Sequence, residues 1–478
     1  MFIDLHCHPA MKPLGKSFLK ESTRFVNSPN RKQKNSIWFR DKPQDLEKEL
    51  NKAITLTKFT QADLTTLAKG DVKVVCASLY PLEKGFVKTR VGDGNLADAL
   101  VGFVTGLSKN RLDHLSNMTS YYDDMVKELE FYLQLDHKKV TLDEGVFEYR
   151  IVKNFDELEA NVESEQNIIS IIVSIEGGHT LDCGLDLSKD TADLNIVIAN
   201  VEKIKGWDCK PFFITLAHHF YNELCGHAKS FSGISALLLN QKRKIRTGIT
   251  PLGRDVIDLL LDNTSGNRIL IDLKHMSDLG REEYYEILNS SYPNDTIPLV
   301  VSHGAMNGLK SYKNNRYSKF STARKMMTKP INFYDEEIVK IAESGGIFGL
   351  QFDERRVASK GEIKAIKKKE RRGDAAFYRS KLIWNNIQHA AEVLDERGMD
   401  AWDTLGIGSD FDGIIDPVNE FWTASHLERL ENQLQKHAYN YMNDQGGKLQ
   451  SRNQLNPMEI VEKLMSTNAY DFLSRNFI

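Results

Sequence analysis

Cysteine is sparse in this sequence: there are five in 478 residues, at positions 7, 76, 183, 209 and 225, and no Cys-x-x-Cys pair. That pattern excludes a disulfide scaffold and a cysteine-based zinc knuckle, and it suits a reducing compartment. Excess charge is lacking too. Lys and Arg number 63 against 66 Asp and Glu, a formal net charge of -3, so there is no electrostatic case for nucleic acid or an anionic membrane as partner. No apolar run approaches the ~20 residues of a membrane span. The opening MFIDLHCHP enters a strand without the basic and apolar segments of a signal peptide, so a cytoplasmic location is expected. Internal repeats and low-complexity tracts are missing. The one dense basic segment, Lys364–Arg372 (KAIKKKERR), has no interleaved aromatics and reads as a solvated helix face.

What is present is a globular composition, 41% hydrophobic and 27% charged, with eight short apolar runs set between longer stretches of helical periodicity. The runs are Phe2–His8, Val72–Tyr80, Ile168–Glu176, Phe212–His218, Arg268–His275, Pro298–His303, Gly346–Phe352 and Leu405–Phe411. Runs such as IIVSIE and PLVVS are apolar throughout, as strands covered on both faces are, rather than alternating. Eight of them separated by helices predict an α/β fold, a (β/α)₈ TIM barrel with helical insertions, as a single domain over 1–478. Pro9–Asp71, Pro81–Asn167 and Asp353–Thr404 are long enough to be the insertions. In the second, Tyr122, Met125, Val126, Leu129, Tyr132 and Leu133 form one stripe of a helix that should pack as a lid or flank. Thr250-Pro251 and Asn456-Pro457 carry the cap-then-proline signal of helix starts.

Five of these runs end in residues that can ligate a metal: His6 and His8, Glu176, His275, His303 and Asp410. The carboxyl ends of barrel strands meet at one mouth, so ligands scattered in sequence are expected to cluster in space. His6 and His8, two apart on a strand, share a face, which turns Cys7 outward. Four imidazoles and two carboxylates suit a borderline ion such as Zn²⁺ and are too rich in nitrogen for Ca²⁺ or Mg²⁺. Six ligands exceed the needs of one catalytic zinc, so two divalent metal ions are expected, and amide hydrolysis is chemistry that such a pair supports.

The residues resemble the membrane (renal-type) dipeptidase family of the amidohydrolase superfamily. The motifs run in order: SIEGGH (Ser174–His179), LAHH (Leu216–His219), GITPLGRDVI followed by ILIDLKHMS (Gly248–Ser277), VVSHG (Val300–Gly304), LGIGSDFDG (Leu405–Gly413) and the closing NAYDFL. The resemblance implies a binuclear zinc enzyme that cleaves dipeptides or small N-acyl amino acids through a metal-bridging hydroxide. It implies that Glu176 bridges the metals, that His275 and His303 complete one, and that His6, His8 and Asp410 hold the other. Asp410 would also relay the proton, His218 would steady the substrate carbonyl, and a homodimer would be the usual assembly.

The sequence departs from that family in three places. His6-Cys7-His8 stands where the family has His-x-Asp, which removes a negative charge from the centre. Lys274 precedes His275 where a small hydroxyl residue is usual, and strand alternation would point it away from the metals. No clear counterpart exists for the arginine that binds the substrate carboxylate. Arg324 is taken as the candidate, with Lys325 and Lys329 as alternatives, while His179 and His219 are expected to support the residues beside them. The same barrel hosts lactonases and deaminases, and a metal-binding barrel without turnover is the non-enzymatic alternative.

Overall fold

The computed structural model describes residues 1–17, 25–54, 57, 59–88, 107–231, 239–444 and 449–478. Eight parallel strands close on themselves: β1 (Phe2–Cys7), β2 (Val72–Leu79), β5 (Asn167–Glu176), β6 (Phe213–Thr215), β7 (Leu270–Asp272), β8 (Val300–Gly304), β9 (Ile347–Leu350) and β10 (Leu405–Ile407). Each pairs in parallel with the next around the ring, and β10 returns to β1. The fold is the expected (β/α)₈ barrel. Each strand falls on one of the eight apolar runs, β5 starting one residue before its run and β8 ending one residue after, and every residue of β5 from Ile168 onward is buried.

The remaining two strands, β3 (Val140–Leu142) and β4 (Gly145–Ile151), form an antiparallel hairpin within the second long connection. Ser170 and Ile171 of β5 pair with both β2 and β4, and Ile175 pairs with both β2 and β6. The hairpin therefore occupies the early half of the β5 edge that β6 occupies later. Its sign in the sequence is the alternation of Phe147, Tyr149 and Ile151, all buried.

Helix starts follow the local chemistry. The Thr250 side chain accepts from the Gly253 amide at the head of the helix Pro251–Leu261, and Asn456 caps Pro457–Glu462 in the same way. The helix Tyr121–Leu133 flanks the barrel with Tyr122, Met125, Leu129 and Tyr132 inward, but Leu133 is exposed and Phe131 is buried instead. In the basic helix Lys360–Lys369, Ile366 is buried while Lys367, Lys368 and Lys369 face solvent. No described helix is long and apolar enough to cross a membrane.

One buried pair ties two of the outer helices to the barrel mouth. The Arg281 guanidinium, on the helix Asp278–Ser291, donates to both oxygens of Glu337 at 2.6 and 3.1 Å. It also donates to the carbonyl of Met276 at 3.1 Å, directly after His275. Both side chains are out of solvent, so deleting one partner strands the other's charge. Glu337→Ala is expected to lower the free energy of unfolding by ~3–5 kcal/mol, read by urea denaturation. A loss under ~1 kcal/mol would show that the pair behaves like an exposed one.

Candidate metal centre

The strand ends bring His6, His8, Glu176, His275, His303 and Asp410 to one place. Glu176, the last residue of β5, is the hub: its Oε1 lies 3.4 Å from Nε2 of His6, 3.4 Å from His275 and 3.5 Å from His303, and its Oε2 lies 3.0 Å from His8. Asp410 stands 3.8 to 4.0 Å from His6, His8 and His303. His218 joins the ring through Nε2, 3.4 Å from Glu176. All seven are buried.

Backbone pairing past the regular strands explains two of these positions. The Asp410 amide donates to the His6 carbonyl and the His8 amide to the Phe411 carbonyl, each at 2.9 Å, so the extension of β10 is locked to β1 with its carboxylate beside both histidines. His275 and Asp410 both have left-handed backbone, with φ of 64° and 61°. That conformation is rare for residues with a Cβ and is held by its surroundings. Gly413 makes room for the result, because a Cβ there would come within 1.9 Å of Asp410 Oδ1.

The left-handed turn at His275 ends the alternation on which the expectation for Lys274 rests. Regular pairing in β7 ends at Asp272, and the Asp272 side chain accepts from Thr215 and Ser302 on the neighbouring strands. Lys274 shares its parity, and its charge acts on Asp410 and His303. His275 reaches the cluster by the turn rather than by alternation, and Lys274 before it is buried, its Nζ without a hydrogen-bond partner among the described residues.

Neighbouring groups hold the rings in place. His6 Nδ1 meets Ser78 Oγ at 3.1 Å, which in turn meets Ser174 Oγ at 2.8 Å. His303 Nδ1 meets Ser302 Oγ at 3.0 Å, and that hydroxyl donates to Asp272. His218 Nδ1 donates to Glu83 Oε2 at 2.7 Å, and Glu83 also accepts from the Phe220 amide and the Tyr80 hydroxyl. Glu83 was not singled out in the sequence. Its 3-10 turn after β2 gives no motif, and only the fold pairs it with a residue 135 positions away.

Electrostatics divide the cluster. Burial works against the Glu176 charge, but His218 and His6 hold its carboxyl well below the usual range. Burial, and then the Glu176 charge, push Asp410 well above it. Burial drives His6, His275 and His303 toward their neutral forms. For His218 burial is overcome by Glu83 and Glu176, which raise it to about 10.

The donor set fits divalent metal. Metal ligation needs neutral imidazole lone pairs, and His6 Nε2, both nitrogens of His8 and Nδ1 of His275 are buried with no hydrogen-bond partner. Three overlapping groups of these residues, His6/His8/Glu176, His6/His303/Asp410 and Glu176/His275/His303, have donor atoms close enough to share an ion. His218, His219 and His275 form a fourth group. His219 is half-buried with Nδ1 on Ser230 Oγ, and His179 is tied to the Pro81 carbonyl.

Arg324 is not brought into this cluster. It is exposed and stacks on the Tyr317 ring, 4.6 Å from its centroid. Lys329 is also exposed, and the Lys325 amine reaches Asn385. The segment around them turns outward after β8, and spacing from His303 alone could not reveal that.

Comparison with known proteins adds the following. Residues 318–470 match the model of the membrane dipeptidase family, peptidase family M19, a stretch that includes Asp410 and begins after His303. Over 195 residues the chain is 24% identical to an uncharacterized protein in the pqqA 5' region of Klebsiella pneumoniae, covering 41% of this chain and 55% of that protein. The match thus spans about half the length of that curated relative. Among solved structures, dipeptidase AC, a metallo peptidase of family M19, aligns with a TM-score of 0.50 and 15% identity over 90% of this chain and 94% of that one. A metallo peptidase from Rhodobacter sphaeroides, liganded with a phosphinate mimic of L-Ala-D-Ala, aligns at 0.48 and 14% over 99% of each chain. The probable dipeptidase PvdM from Pseudomonas aeruginosa aligns at 0.49 and 14% over 96% of each. The barrel is closed, and the C-terminal third of the chain, which carries Asp410, is similar to the membrane dipeptidases of peptidase family M19.

Proposed function

We propose that this chain is a metal-dependent hydrolase that cleaves the amide bond of dipeptides or related small N-acyl amino acids. The observation that carries the reading is the convergence of four imidazoles and two carboxylates around Glu176, with ring nitrogens left free of hydrogen bonds. Two divalent ions, zinc foremost, would be held by His6, His8 and Asp410 and by His275 and His303, with Glu176 shared between them. Bound there, they would polarise the amide carbonyl and acidify a water molecule.

The chain's own residues supply the rest. Asp410, 3.8 to 4.0 Å from His6, His8 and His303, would as the carboxylate take a proton from the attacking water and return it to the leaving amine. His218 has Nδ1 committed to Glu83, which leaves Nε2–H directed at the cluster as a donor to the carbonyl oxygen as negative charge builds there. Glu83 acts through His218: by accepting from Nδ1–H it favours the doubly protonated ring, which keeps Nε2–H available.

Purified protein is expected to contain divalent transition metal by elemental analysis, with much less in His275→Ala. A dipeptide panel should be hydrolysed, and chelator should abolish turnover until metal is restored. Metal-replete protein that turns over lactones or aminopurines but no amide would sink this reading. Asp410→Asn should lower kcat by about 10²–10⁴-fold, the range for loss of a general acid–base group. Glu83→Gln should cost about 10–100-fold, the scale of a lost outer hydrogen bond to a working histidine. An unchanged rate in Glu83→Gln would remove Glu83 from the mechanism.

A further inference from the structure

Not every imidazole at the mouth is absorbed by the two ion positions assigned above. His218, His219 and His275 each offer a nitrogen within 4.8 Å of the other two. Their ring centroids stand 3.9 Å apart for His218 and His219, 4.4 Å for His218 and His275, and 5.0 Å for His219 and His275. Two of the three rings have the outer partner that ligating histidines usually have. His218 Nδ1 is held by Glu83 Oε2 at 2.7 Å and His219 Nδ1 by Ser230 Oγ at 2.7 Å, which leaves Nε2 of each ring for the group. Nδ1 of His275 is buried and has no hydrogen-bond partner among the described residues, so that ring is uncommitted on its second side.

The surroundings of His219 suit a ligating ring. Phe231 and Phe86 flank it, with centroids at 4.7 and 5.4 Å. Ser230 is itself fixed, because its hydroxyl accepts from the Gln241 side chain at 2.6 Å and its amide donates to the same side chain at 3.2 Å. A hydroxyl oxygen has two lone pairs, so Ser230 can accept from Gln241 and from His219 Nδ1–H together, the tautomer that frees Nε2. Burial, and then the charge of His218, hold His219 well below the usual histidine range, which keeps the ring in the neutral form that binds metal. His218 and His275 are buried while His219 is partly exposed, so the group has a side open to solvent. Neither ion of the proposed pair is assigned to His219, and no step of the proposed reaction uses it.

We infer that His218, His219 and His275 form an accessory position for a divalent transition-metal ion, additional to the pair around Glu176, and that its occupation silences the enzyme. Binding there puts the ion on Nε2 of His218 in place of its proton, which passes to solvent, so the donor for the substrate carbonyl is lost. It also draws on His275, a ligand of the proposed pair. Excess metal therefore switches off the centre that the first two equivalents assemble. The silencing rests on the hydrolase reading, but the binding of a third ion does not.

Metal-free protein titrated with Zn²⁺, followed by calorimetry and equilibrium dialysis, should take up two ions tightly and a third more weakly. Dipeptide hydrolysis should rise over the first two equivalents and fall as the third binds. In His219→Gln and His219→Asn the first two equivalents and the activity they support should persist. Ser230→Ala, which removes only the outer partner of His219, should weaken the third ion by about 10–100-fold, and the two His219 variants by at least as much, with inhibition moving to correspondingly higher zinc. A wild type that stops at two ions or fewer overturns the inference, and so does third-ion binding that is unchanged in both His219 variants. A third ion that depends on His219 but leaves turnover intact overturns the silencing. Three ions bound with no amide hydrolysed would instead sink the hydrolase reading and leave the accessory position standing.

Discussion

A carboxylate sealed among five imidazoles is the constraint on which this structure depends. Glu176 is buried, and an ionised carboxylate taken out of water costs several kcal/mol unless charge and hydrogen bonds replace its hydration. His6, His8, His218, His275 and His303 all lie within 3.5 Å of it. They come from the ends of different strands, so that compensation exists only when the barrel is closed. The left-handed backbone at His275 and Asp410 follows from the same demand, because neither residue reaches the cluster by strand geometry alone. Each such residue costs about 1–3 kcal/mol and persists only where its surroundings over-determine it.

The polar chains behind the ligands make the mouth of the barrel rigid without making it apolar. Ser78 and Ser174 link β2 to β5 behind His6, and Ser302, Asp272 and Thr215 link β8, β7 and β6 behind His303. Each joins adjacent strands and orients a ring at once. Apolar packing elsewhere in the barrel carries stability, and these hydroxyls carry orientation.

How much of this could be read in the sequence depended on whether the controlling force was local. The eight barrel strands were legible because a strand covered on both faces must be apolar throughout, as β5 is. The meeting of His6, His8, Glu176, His275, His303 and Asp410 was legible because strand ends meet at one mouth. The β3–β4 hairpin was missed, since a short alternating pair inside a long connection competes with helical reading. Alternation gave no guide at Lys274 and His275, which lie two and three residues past the end of β7, where the backbone at His275 turns left-handed. Glu83 had no local mark, and its role exists only through a contact made across the fold.

Charge explains why the departures at positions 8 and 274 belong together. A histidine at position 8 in place of an acid, and a lysine at 274 in place of a small hydroxyl residue, both move the centre toward positive charge. Glu83 does not offset this, because its carboxylate is already satisfied by His218, the Phe220 amide and the Tyr80 hydroxyl. Asp272 is likewise engaged by Ser302 and Thr215. Burial, however, lowers Lys274 to about 7, so its amine is not a fixed cation. Position 8 therefore changes the charge of the cluster outright, whereas position 274 changes it only as far as burial leaves that amine protonated.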